Sequence, residues 1–158
     1  MKTQNSTLAL IIAMIIIFGG CKKSETEPVI DPRDAFVGNY NESVNGSMTI
    51  TVNGQAETSP VNSTGSFSIE KGSSESRIVR VETDGTRYEG TISGNHVQFD
   101  PMHVSGTQNG MTITYIADVS GNISGNVLNY TMDITGSVYY QGATFPLTGR
   151  VASVATKY

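Results

Sequence analysis

Residues 111–119 read MTITYIADV, and residues 128–138 read LNYTMDITGSV. In the first stretch Met111, Ile113, Tyr115, Ala117 and Val119 fall on one face, with Thr112, Thr114 and Asp118 on the other. In the second, Leu128, Tyr130, Met132, Ile134 and Val138 oppose Asn129, Thr131, Asp133 and Thr135. Alternation with a period of two is the signature of a half-buried strand. One apolar and one wet face is the antiparallel pattern. Phe145, Leu147, Val151 and Ala155 continue it to the end of the chain. Ile113, Met132 and Leu147 are accordingly expected to be buried.

Upstream the same period recurs in shorter pieces. Met48, Ile50 and Val52 alternate with threonines, and Phe67 and Ile69 with Ser66, Ser68 and Glu70. Val79 and Val81 alternate with Arg80 and Glu82, which assigns the valines to the apolar face. Tyr88, Gly90 and Ile92 follow, then Val97 and Phe99. Nine strands are expected, at 37–44, 47–53, 64–70, 77–83, 86–93, 96–100, 111–120, 126–139 and 143–155. Asn45-Gly46, Asn53-Gly54 and Asp84-Gly85 are type I′ hairpin candidates, and Gly94-Asn95 and Gly125-Asn126 suit type II′. Residues 106–110, GTQNG, read as a loop. Sequential hairpins in this number favour an all-β, antiparallel up-and-down barrel of about eight strands, which removes sheet edges by closure. A two-sheet sandwich is the alternative.

The composition narrows the function classes. The 158 residues carry 10 Lys+Arg and 14 Asp+Glu, a formal charge of −4. Nucleic-acid binders usually present a basic stripe, so no nucleic-acid partner is expected. A single cysteine excludes an internal disulfide.

That cysteine follows an address-like segment. Lys2 precedes an unbroken apolar run, LALIIAMIIIF at 8–18, which ends in Gly19, Gly20 and Cys21. A positive start, a short apolar run and small residues form a secretory signal. The run is shorter than the about 20 residues that span a bilayer. Phe18-Gly19-Gly20-Cys21 resembles the lipobox of bacterial lipoproteins. The resemblance implies cleavage before Cys21, acylation of that residue, and anchoring in the outer membrane of a Gram-negative bacterium, facing the periplasm or the cell surface. Two or three acyl chains make such an anchor stable, whereas one is marginal. Residues 22–33, KKSETEPVIDPR, bring two prolines and mixed charge with little to bury, the composition of a disordered spacer. The expected organisation is a signal peptide at 1–20, an acylated Cys21 with a flexible tether at 21–35, and a barrel domain at 36–158.

Phe36-Val37-Gly38-Asn39-Tyr40 opens that domain. It resembles the first-strand signature of the lipocalin and fatty-acid-binding group. With the late Gly-Asn hairpins and the export context, the chain is similar to the calycin-like (lipocalin-like) β-barrel lipoproteins of bacteria. The resemblance implies that the aromatic, here Tyr40, packs against a basic residue of the last strand, matched here by Arg150. It implies a fold, within which function varies widely.

Catalytic signatures are sparse. The two histidines, His96 and His103, have no second cysteine or acidic cluster at metal spacing, so they read as surface or strand-end residues and no metal is expected. No G-x-S-x-G elbow and no G-x-G-x-x-G turn occurs. No enzymatic activity and no cofactor are therefore expected. Tyr88, Tyr115 and Tyr130, with Met132, share the apolar faces of their strands. A phenol combines an apolar body with one polar tip, which suits a ligand-facing wall or a core position. The expected function is a monomeric, lipid-anchored barrel that binds a small apolar or amphipathic ligand through these four residues. The alternative is a filled barrel acting as a structural or protein-interaction module.

Overall fold

The computed structural model describes residues 30–108 and 110–158. The signal-like segment and Cys21 lie outside the described residues, as does most of the expected tether. Nine antiparallel strands follow one short 3₁₀ turn, Pro32–Ala35. They are β1 (Gly38–Val52), β2 (Gln55–Lys71), β3 (Arg77–Glu82), β4 (Arg87–Ser93), β5 (His96–Phe99), β6 (Met102–Gln108), β7 (Met111–Ser124), β8 (Val127–Tyr140) and β9 (Ala143–Lys157). No α-helix occurs among the described residues.

The strands run in the order β5-β4-β3-β2-β1-β9-β8-β7-β6, and a further pairing of β5 with β7 closes a ring of eight strands. The up-and-down barrel expected from the alternation is the observed architecture. The sandwich is not.

β5 and β6 share one edge of β7. Gln98 pairs with Ser120, but Met102 pairs with Ala117, so four steps on one strand oppose three on the other. This is a bulge at Asp100-Pro101. Proline has no N–H for the ladder and is confined to such places. The extra residue also resets parity. Met102 turns inward with Phe99, while His103 stays outside.

The barrel is closed at one end only. There, β2 pairs with β3 through Phe67–Lys71, and β4 pairs with β5 through Gly90–Ser93. At the other end, residues 55–66 of β2 pair with β1 alone, and β6 pairs with β7 alone. The wall between β2 and β6 is therefore unladdered in its upper half. Closure does not remove these two edges.

Side chains fill the closed end. Phe36, Tyr40, Ile69, Ile78, Val97, Phe99, Val119 and Leu128 are all fully buried there. Gly90 leaves the space that the Phe99 ring occupies beside it. Tyr40 stacks on Phe67 at 5.1 Å between centroids, and its hydroxyl donates to Phe36 O at 2.6 Å. Burial pushes the Tyr40 phenol up to about 12.

Several expectations are corrected. Asn45-Gly46 is not a turn: β1 runs through it, and Gly46 lies so close to β9 that a Cβ would meet Arg150 O and Val151 Cα. Residues 55–63 and 102–108 are strands, although Ser, Thr, Gly and Pro obscure their alternation. In β3 the phase is inverted. Ile78 and Arg80 are buried, and Val79 and Val81 face outward, half-buried. Ile113 is 36% exposed, because it lies above the closed ring opposite Gly106, which has no side chain to cover it. Met132 is half-buried, and Leu147 is buried as expected. The Asn53-Gly54 turn is present, with positive φ at both residues as type I′ requires.

The tether ends earlier than expected. Asp31 caps the 3₁₀ turn by accepting from Arg33 N at 3.0 Å. Arg33 donates to Gly72 O and Ser74 O, and Lys71 pairs with Asp31 and Asp34. The domain thus starts at Asp31, clamped to the β2–β3 turn at the closed end. Its first residues stand opposite the open end.

Candidate functional site

Above the filled half the barrel holds a half-open cavity of about 280 Å³. Its walls come from inward positions on eight strands. Met48, Val61, Val104 and Met132 supply apolar surface, and Tyr88 and Tyr115 the aromatic surface. The polar groups Glu42, Arg80 and Glu82 lie at the end nearest the core. Val61 and Ser63 on β2 and Met102 and Val104 on β6 flank it across the unladdered wall.

Strand periodicity explains why charge is found inside. Tyr40, Glu42 and Val44 share one face of β1, and Ile78, Arg80 and Glu82 share one face of β3. Period-two geometry places all six inward. Arg80 and Glu42 have side chains only 6% and 11% exposed. Arg80 Nη2 donates to the Glu42 carboxylate at 3.3 Å, Nη1 to Tyr130 Oη at 2.7 Å, and Nε to Glu82 Oε1 at 2.6 Å. Tyr130 Oη donates to Glu42 Oε2, and Ser153 Oγ donates to the same oxygen at 3.4 Å. The Arg80 guanidinium also lies over the Phe67 ring, 3.8 Å from its centroid. Buried charges persist when paired and hydrogen-bonded in this way.

These surroundings bias protonation. Burial pushes the Tyr130 phenol up to about 12, Arg80 opposing and Glu42 reinforcing the shift. Burial alone would lower Arg80, but Tyr130, Glu42 and Glu82 outweigh it and hold the guanidinium above its ordinary value. Burial raises Tyr115 as well, with Tyr88 contributing. At neutral pH the guanidinium of the network is therefore charged and the Tyr130 phenol neutral.

Of the four expected ligand-facing residues, Tyr88, Tyr115 and Met132 line this one cavity. Tyr130 is 3% exposed, packs edge-on against Phe67, and belongs to the polar floor beneath the cavity. Sequence reasoning missed Glu42, Arg80 and Glu82. The detectable signal was their phase: Glu42 stands two residues from Tyr40 and from Val44, and Arg80 two from Ile78.

The expected closure pair is only half present. Tyr40 is buried at the base, but Arg150 is on the outer face, 3.4 Å from Asp133 in a solvent-exposed ion pair. The basic residue over the Tyr40 ring is Lys157, whose Nζ is 5.8 Å from the centroid and donates to Ala35 O at 2.8 Å. Tyr40 pairs with Lys157 in register, whereas Arg150 pairs with Ser47 at the middle of β1.

A second concavity, of about 310 Å³, lies on the outside of β5, β7, β8 and β9. It is open, and Ser120, Asn122, Asn129 and Thr131 line it together with Ala152, Val154 and the otherwise buried Tyr130. His96 is there, its Nδ1 3.1 Å from Asn122 Oδ1. His103 is exposed elsewhere on the outer face. No group of three His, Cys, Asp or Glu side chains at metal-binding spacing occurs among the described residues. Tyr139 and Tyr140 form an exposed pair at the open rim, before the Gln141-Gly142 turn.

No protein-family model matches this chain, and no curated protein matches it in sequence.

Proposed function

We propose that the protein is a non-catalytic, lipid-anchored envelope barrel that binds one small amphipathic ligand in its open half. The observation that carries this reading is the 280 Å³ cavity, apolar on its sides and polar at its floor. Small-molecule sites have this character: mostly apolar lining with a few convergent polar groups. The barrel resembles the calycin-like lipoproteins, and Cys21 is the lipidation site. The anchor is the outer membrane, reached through the tether that enters the domain at its closed end. The cavity then opens at the opposite end of β1, away from the point of attachment.

The test is a screen of alkylamines, fatty acids, bile-acid-like sterols and small glycans by native mass spectrometry and methyl NMR. At least one compound is expected to bind one-to-one and to shift the Met48 and Met132 methyl signals. Val104→Trp, which fills the space beside Tyr115, should abolish it. A screen without a single binder would sink the reading.

The unpaired edges of β2 and β6 favour a second reading, a protein-interaction module that accepts an extended strand. Exposed edges are templates for strand addition. β6, MHVSGTQ, carries no Lys, Pro or acidic residue to discourage it.

A further inference from the structure

We propose that the cavity selects amphiphiles with a cationic, ammonium-type head over anionic ones. This rests on the ligand-binding reading above and specifies its substrate class.

The charge on the cavity floor is unbalanced. Glu42 and Glu82 bring two carboxylates, and Arg80 is the one cation among the residues lining the cavity. Arg80 is already committed. Its Nε, Nη1 and Nη2 donate to Glu82, Tyr130 and Glu42, and one face is covered by Phe67. An incoming carboxylate would meet a guanidinium whose three nitrogens are already engaged, and would sit beside two acidic side chains. Like charges in a partly desolvated site repel strongly.

Glu82 has the opposite disposition. Only its Oε1 is bonded, to Arg80; its Oε2 has no partner among the described residues. Its side chain is 26% exposed and lines the cavity. It therefore offers acceptor lone pairs to an N–H donor. The phenol groups of Tyr88 and Tyr115 also have no hydrogen-bond partner among the described residues. Their rings add electron-rich faces, and ammonium groups are attracted to such faces. Met48, Val61, Val104, Met132 and Ile134 form the wall for an alkyl tail.

Three probes with one tail and different heads separate the possibilities: octylamine, octanol and octanoate, titrated into the purified full chain by NMR and calorimetry. Octylamine is expected to bind about tenfold or more tightly than octanol, and octanoate weakest. Glu82→Gln should bring octylamine down to the octanol level, so that the ratio of the two affinities falls to about one. In the wild type, nuclear Overhauser contacts should join the methylene beside the ammonium to the Tyr88 or Tyr115 ring protons. These contacts test the proposal even if the variant folds poorly. Octanoate equal to or tighter than octylamine would overturn it, as would an unchanged octylamine affinity in Glu82→Gln or contacts that place the ammonium at the rim. In each of those cases the cavity reading survives. If none of the three binds, this inference fails; if the wider screen is empty as well, the cavity reading fails with it.

Discussion

Arg80 and Glu42, on β3 and β1, meet inside the barrel at 3.3 Å with both side chains almost wholly removed from water. The pair divides the interior. Below it the barrel is packed solid, and above it lies the cavity.

Removing one partner should be costly. Arg80→Ala leaves the Glu42 carboxylate buried without its cation, and breaking a buried pair from one side costs about 3–5 kcal/mol. Replacing both together, as Arg80→Met with Glu42→Gln, should lose less than the single change. Urea unfolding of the three proteins measures this; an Arg80→Ala loss under about 1 kcal/mol would show the pair to be solvated.

Alkaline stability should depend on the buried phenols. Tyr40 and Tyr130 are both pushed up to about 12 in the folded chain, while an unfolded tyrosine titrates near about 10. Folded protein then holds more protons than unfolded protein across this window, so stability is complete below it and falls as pH rises from about 10 to 12. Tyr130→Phe should flatten that decline. Denaturation midpoints, followed beside phenolate absorbance, check the slope.

Core truncations should sort by position along the barrel. Leu128 is fully buried at the closed end, and Leu128→Ala should cost about 2–5 kcal/mol. Ile113, although on the same face by period, is 36% exposed; its truncation should stay near the small effects of surface changes, about 0.5 kcal/mol. Equal losses at the two sites would contradict the one-ended packing.

The Asp31 clamp should respond to acid. Hydrogen bonds from Arg33 and then Lys71 hold the Asp31 carboxyl well below the usual carboxylate range. A depressed folded pKa means the clamp's contribution is present above that range and is lost as pH falls through it. Carboxyl carbon NMR should show Asp31 titrating well below the range of a free aspartate on acidification. Asp31→Asn should speed amide exchange at Phe36 and Val37, whose N–H groups donate to Arg33 O.

The proposed anchor is tested at Cys21. Cys21→Ser should move the protein from the membrane fraction to the soluble fraction. A mutant that still sediments, together with a wild type lacking acyl mass, would refute lipidation.

The alternation of β7, β8 and β9 made the sheet legible, because each of those strands packs one face on a core and leaves the other in water. Residues 55–63 and 102–108 carried no such pattern. Apart from Met102 and Val61, which reach the core, they rise beyond the packed half, so their pairing follows from the neighbouring strand more than from their own residues. Gly46 read as a turn because a positive-φ residue and a close strand crossing both call for glycine. The phase of β3 was misread for a related reason: two valines outweigh an arginine in any hydrophobic pattern, until a carboxylate and a phenol 38 and 50 residues away in sequence meet that arginine. Likewise only register could decide that Lys157, not Arg150, faces Tyr40. Local sequence thus determined that this chain makes antiparallel strands and which residue types fill them. The position of the charge, the open half of the wall and the cavity depend on side chains brought together from distant strands, and no local pattern encodes where those strands meet.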